Sequence, residues 1–136
     1  MSATFQPNYP NDEFEYWANL SADTSLEAME ILKNNFGKIY WNIFSANPAP
    51  KAIELLKENP DRIDWDYLSS NVNAEAIDLL KENPDKVNWR ILCQNTCPEV
   101  IQILKKNIKH IDWSILYENP CLEAIKLCRE HPNENT

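Results

Sequence analysis

Four cysteines crowd the C-terminal part of the chain, Cys93, Cys97, Cys121 and Cys128, with His110 and His131 among them. Thiolate and imidazole are zinc ligands, and a structural zinc asks for a full tetrahedral set, usually from closely spaced cysteine pairs with or without histidine. Cys93 and Cys97 stand one helical turn apart, and Cys121 follows Cys97 at the interval by which the whole chain repeats, so three thiols can approach one point. A fourth ligand is lacking. The histidines fall in turns at unlike places of the repeat, and Cys128 stands where the other repeats carry leucine. Reduced thiols are the default inside cells, and Cys128 reads as a small buried hydrophobe. Neither a metal nor a cofactor is expected.

The five tryptophans, Trp17, Trp41, Trp65, Trp89 and Trp113, fall 24 residues apart without a slip. Indoles in a row are stacking platforms in proteins that bind single strands, and they are equally large core residues. Their company favours the core. An apolar residue stands three places after each of them (Leu20, Phe44, Leu68, Leu92, Leu116), and Ile39, Ile63, Val87 or Ile111 stands two places before the last four.

Catalytic chemistry finds no foothold. One glycine, Gly37, against nine prolines leaves no Gly-rich phosphate loop, and neither a nucleophile elbow nor a His-Glu-x-x-His pair occurs. The carboxylates keep company with lysines three or four residues away, as on a solvated helix face. A formal charge of −8 opposes non-specific binding to nucleic acid or anionic membrane. Against that background Lys105, Lys106, Lys109 and His110 cluster, joined one repeat on by Lys126 and Arg129. Such a basic patch can touch phosphates or an acidic protein surface; a solvated cluster is the plainer reading.

A fixed period is the signature of a repeat architecture. With each tryptophan counted as position 1, positions 12, 13, 15 and 16 are apolar in every unit, as in Ala52, Ile53, Leu55 and Leu56, while positions 11, 14, 17 and 18 are mostly charged. That is one stripe of an amphipathic helix over positions 10–18. Pro50 and Pro98 suit its first residue, where no N–H is needed. Glutamates at position 11 and lysines at position 17 match the helix dipole. Asn35, Asn59, Asn83 and Asn107 at position 19 replace the missing glycines as left-handed C-terminal residues, and Pro60 and Pro84 forbid continuation. Asp64, Asn88 and Asp112 then cap a short second helix at positions 1–6, which Asn47, Asn71, Asn95 and Asn119 close.

No unit can bury its stripe alone, so stacking is required. The expectation is an all-α chain: an α-solenoid of five 24-residue helix-turn-helix repeats over 17–136, with units starting at 17, 41, 65, 89 and 113. Residues 1–16 are expected to be an N-terminal cap, partly disordered at its start. No apolar run is long enough to span a bilayer, and no secretory signal opens the chain, so an intracellular, cytoplasmic protein is expected.

Inside this frame a few positions vary. Position 2 reads Ala18, Asn42, Asp66, Arg90 and Ser114; position 6 reads Ala22, Ala46, Ser70, Gln94 and Glu118. Constant framework with changing facing residues is how a solenoid writes a binding surface, and it is also what freely drifting exposed positions look like. Taken as partner-binding, the set is Asn42, Asp66, Arg90, Ser114, Ser70, Gln94 and Glu118.

The unit Asn-Pro-x-x-x-Ala-Ile-x-Leu-Leu-Lys-Glu-Asn-Pro-Asp-Arg/Lys-Ile-Asp-Trp-x-x-Leu-Ser resembles the short helical repeats of giant DNA viruses, closely over 41–88 and more loosely over 17–131. Gly37, Tyr40, Thr96 and Ile108 depart from it. The resemblance implies a viral origin and a place in the host cell or virion. The function expected is a non-enzymatic protein–protein interaction module. The alternatives are a scaffold or minor virion component that assembles through its ends, leaving Ile115, Leu122 and Ile125 for another chain to cover, and, third, nucleic-acid binding through the basic cluster. The partner is another protein, and the chain is a monomer or associates end to end.

Overall fold

The computed structural model describes residues 10–134, with side chains from residue 13 onward. Ten α-helices and no strand occur among the described residues, so the protein is all-α. Five helices carry the tryptophans: α1 (Pro10–Ala22), α3 (Trp41–Ser45), α5 (Trp65–Leu68), α7 (Trp89–Gln94) and α9 (Trp113–Leu116). They alternate with α2 (Leu26–Lys33), α4 (Pro50–Glu58), α6 (Ala74–Glu82), α8 (Val100–Lys106) and α10 (Leu122–Glu130). Odd helices pack on odd ones (α1 on α3, α3 on α5, α7 on α9) and even on even (α2 on α4, α4 on α6, α8 on α10). An odd helix with the even helix after it makes one layer. The helix α1 begins well before Trp17, so residues 10–16 continue into the first layer; the disordered start expected of the cap falls on residues 1–9, outside the described residues.

The tryptophan helices start where a short polar side chain can take up their first N–H groups. The Asp64 carboxylate accepts from the N–H groups of Asp66 and Tyr67, the Asn88 amide oxygen from Ile91, and the Asp112 carboxylate from Ile115. Tyr40, which departs from this pattern, makes no side-chain cap; its ring meets Phe14 edge-on at 4.9 Å instead. Pro50 is the first residue of α4, as its spacing predicts. Pro98 is not the first residue of α8, which begins at Val100 after a tighter turn closed by Val100 N–H to Cys97 O and Ile101 N–H to Pro98 O.

At the C-terminal ends the structure corrects one expectation. Asn35, Asn59, Asn83 and Asn107 are not left-handed: their φ values are −136°, −132°, −133° and −135°, and no described residue has a positive φ. Each asparagine instead donates its side-chain N–H to the carbonyl four residues back, at 2.8–2.9 Å, which satisfies one orphan acceptor of the helix end. The chain then enters a 3-10 turn at Phe36–Lys38, Pro60–Arg62, Pro84–Lys86 and Ile108–His110, a third piece of the unit that the helix-turn-helix reading lacks. Pro60 and Pro84 favour this backbone, because proline pushes the residue before it out of the α region and presets its own φ for the turn, but Phe36 enters it without proline after an Asn35 of φ −136°. Ile108 enters the same turn without proline, after an Asn107 of nearly the same φ and ψ as Asn59.

The layers are tied by a feature that the sequence reading passed over. Asn47, Asn71, Asn95 and Asn119, taken there as helix closers, are buried, and each side-chain NH₂ donates to two carbonyls of the layer before it. Asn71 Nδ2 reaches Ser45 O and Asn47 O, both at 3.0 Å; Asn95 reaches Ser69 O and Asn71 O, and Asn119 reaches Cys93 O and Asn95 O. Each amide oxygen accepts the N–H two residues on, as from Asn73 to Asn71 at 2.9 Å. Beside this ladder the hydroxyls of Ser21, Ser45 and Ser69 each donate to the tryptophan carbonyl four residues back and accept the N–H that precedes the next tryptophan helix. No buried side-chain polar atom among the described residues lacks a partner. Around these bonds pack Phe44, Leu68, Leu92 and Leu116 from the odd helices and Ile53, Leu56, Leu80 and Leu104 from the even ones, all closed to solvent.

Two outcomes follow from this bonding. Replacing Asn71 by Ala strands two buried carbonyls and one N–H, and each stranded group costs about 1–3 kcal/mol. Urea unfolding should therefore show a loss on the order of 3–5 kcal/mol for Asn71→Ala and about 1 kcal/mol for Asn83→Ala, whose single bond is half-exposed; equal losses would mean that the ladder does not hold the layers. The Ser114 hydroxyl and the Ile115 N–H hold the Asp112 carboxyl below the usual range. A folded-state pKa below the unfolded one gives stability that is present above the ordinary carboxylate pKa and lost as pH falls through the folded value. The Tm gap between wild type and Asp112→Ala should be open at neutral pH and close in acid; a gap that persists in acid would assign the effect to packing.

Candidate functional site

A binding surface needs side chains that the fold holds in place and leaves exposed. Positions 2 and 6 of each layer qualify, because the tryptophan helix gives positions 1 and 4 to the core and turns these outward. Asn42, Asp66, Arg90 and Ser114 are exposed, as are Ser70, Gln94 and Glu118. Their polar atoms are partly engaged locally. Asn42 accepts the Ile43 N–H, Ser114 Oγ donates to the Asp112 carboxylate at 2.6 Å, and Ser70 Oγ donates to Tyr67 O at 2.6 Å. Asp66 accepts from Asn88 Nδ2 at 3.0 Å. Arg90 lies near enough to Asp112 to contribute to the lowering of its carboxyl. The row is thus a mixed-charge surface, acidic at Asp66 and basic at Arg90 in the next layer.

The tryptophans stand between the two roles they were weighed for. Trp17 is buried, while Trp41, Trp65, Trp89 and Trp113 are half-buried against the core. The open face of each is covered. Arg62 lies 6.0 Å from the Trp41 ring, Lys86 is 5.0 Å from Trp65, His110 stacks on Trp89 at 4.6 Å, and His131 tilts over Trp113 at 4.9 Å. The cation or imidazole comes from the end of the same layer, so each indole is clamped between the core and a polar lid. These lids were not read from the sequence, although Lys38, Arg62, Lys86 and His110 share the 24-residue interval.

Lys105, Lys106, Lys109, Lys126 and Arg129 are all exposed. Lys126 is paired with Glu123 at 3.4 Å, and His110 is drawn off onto Trp89, so the cluster rests on the lysines of α8 and the turn after it.

The cysteines are free thiols. Cys93 takes the seat of Ser45 and Ser69 and receives the Asp112 N–H there; burial pushes its thiol up. Burial also raises Cys128, and it raises Cys97, whose Sγ–H donates to the Glu99 carboxylate at 2.8 Å. That bond holds the Glu99 carboxyl below the usual range. Among the described residues no group of three or more His, Cys, Asp or Glu side chains is placed to hold a metal ion. A raised thiol is a poor nucleophile, and of the four only Cys121 is not buried. Titration with a thiol reagent at mildly alkaline pH should modify Cys121 rapidly and the other three only on unfolding; four equal rates would contradict these burials.

Comparison of the chain with protein-family models, with curated proteins and with solved structures finds no match in any of the three.

Proposed function

We propose that the chain is an α-solenoid of five 24-residue units and works as a non-enzymatic protein–protein interaction module. The observation that carries this reading is the division of labour within the layers: the ladder asparagines, their neighbouring serines and positions 12 and 16 are buried throughout, positions 4 and 13 are buried except at Leu20 and Ile125, and Asn42, Asp66, Arg90, Ser114, Ser70, Gln94 and Glu118 are exposed and change from layer to layer. A surface held by a repeated hydrogen-bonded frame is preorganised, and preorganisation reduces the entropy lost on docking. On the resemblance of its unit, the setting is the host cell or the virion of a giant DNA virus.

A second reading, a scaffold that assembles through its ends, draws on one feature. Ile125 is 37% exposed where its counterparts Ile53 and Ile77 are fully buried, so the last layer offers apolar surface that inner layers cover. Concentration-dependent light scattering would support it. Nucleic-acid binding through Lys105, Lys106 and Lys109 is a third reading, and predicts affinity that falls steeply with salt.

The interaction reading is tested by affinity capture from lysate of the source cell, with wild type beside the double swap Asp66→Arg and Arg90→Asp. A protein captured by wild type and lost in the swap, with helicity and melting unchanged, is the expected result. Identical captures by both would move the function away from this face.

A further inference from the structure

Positions 8 to 10 form the turn from each odd helix into the even helix after it, directly behind the ladder asparagine. Position 8 holds Thr24, Pro48, Val72, Thr96 and Pro120. Position 10 holds Leu26, Pro50, Ala74, Pro98 and Leu122. Every one of these side chains is exposed and none is charged, in a chain of which 25% is charged. Helix geometry accounts for part of this, since proline is at home in the first helical position. It does not call for Leu26 at 72%, Val72 at 51% or Leu122 at 62% exposure.

Successive turns are held side by side. Asn73 Nδ2 in one turn donates to Pro48 O in the turn before it at 2.7 Å, next to the rung that Asn71 makes to Asn47 O. The side chains therefore form a continuous uncharged rail that crosses the layers. Position 11 borders it with Glu27, Glu75, Glu99 and Glu123 and the single cation Lys51; Glu75 and Glu123 make exposed pairs with Lys57 and Lys126, and Glu99 accepts from Cys97 Sγ.

We propose that this rail is the docking edge for an extended segment of another protein, with an apolar side chain at every third residue and basic side chains between. Spacing sets the first requirement. Packed helices lie about 8–10 Å apart, and a polyproline II segment advances about 9 Å per three-residue turn, so one apolar side chain meets each layer. Charge sets the second, because the glutamate border attracts lysine or arginine and repels phosphate backbones and anionic lipid surfaces. Asp66 and Arg90 stand at the starts of the tryptophan helices and the rail in the turns that follow them, so the rail does not depend on that row being used.

The test is fluorescence anisotropy with the intact protein and a labelled peptide of five Pro-Leu-Arg triplets, beside a control of the same composition with its leucines gathered at one end. Wild type should bind the periodic peptide at least about tenfold more tightly than the control. The triple variant Leu26→Asp, Val72→Asp, Leu122→Asp should lose about tenfold or more with its helicity intact. Glu75→Gln with Glu123→Gln should weaken binding and flatten its salt dependence, and the Asp66→Arg, Arg90→Asp swap should leave it unchanged. Should the triple variant fail to fold, Val72→Asp alone and the glutamate pair carry the same comparison. Equal affinity for the two peptides, or undiminished binding by the rail variants, overturns the proposal. So does a dimer that the rail variants abolish in a protein that binds neither peptide, which would assign the rail to a second copy of the chain.

Discussion

A buried carboxamide that spans two layers is the interaction on which the rest of this protein depends. Asparagine is the side chain that fits. Its NH₂ has two donors for the two carbonyls of the preceding layer, and its oxygen accepts the N–H two residues on in its own turn. Aspartate lacks the donors and serine lacks the second one. Because the amide is buried, each missed bond would carry nearly its full desolvation cost, so the spacing between layers is held by polar geometry as well as by apolar contact. The serine hydroxyls beside it tie each tryptophan helix to the start of the next.

That frame explains how tightly the remaining residues are sorted. Small residues at position 12, Ala52 and Ala76 among them, are fully buried where neighbouring even helices meet. The half-buried tryptophans close the other side, and Arg62, Lys86 and His110 complete their cover. Salt bridges add little to this, being exposed pairs such as Lys51–Glu54 and Lys57–Glu75 of a kind worth at most about 1 kcal/mol. With packing and layer spacing met elsewhere, the outward positions keep only exposed bonds, such as those of Asp66 with Asn88 and Ser114 with Asp112.

The helices were legible because their signals are local and repeated. Apolar stripes, Asp64 and Asn88 before a tryptophan, and lysine at the last turn all act within one helix, and α4 and α6 span the positions that the stripe predicts. What escaped notice depends on contacts between layers or on fine backbone geometry. Asn71 and Asn59 are the same residue type in the same kind of place, yet one bonds across layers and the other to its own helix; residue type alone does not separate them. The left-handed expectation for Asn59 failed because the chain goes straight into a 3-10 turn that needs no positive φ, with Pro60 as with Phe36 and Ile108 in the same place. The exposure of positions 2 and 6 was legible from the core stripe that they avoid. The rail escaped for the opposite reason: prolines and threonines in a turn read as turn chemistry until the hydrogen bonds between turns make them neighbours.

The ladder also has a direction. Every rung reaches back toward the layer before it, and the first layer carries Asp23 in the rung position, where its carboxylate accepts the Ser25 N–H and has no amide to offer. The two ends of the ladder are therefore not equivalent. Shortened from the C-terminal side, the surviving rungs stay complete; shortened from the N-terminal side, an asparagine is left with two donors and nothing to grip, unless an aspartate is put in its place.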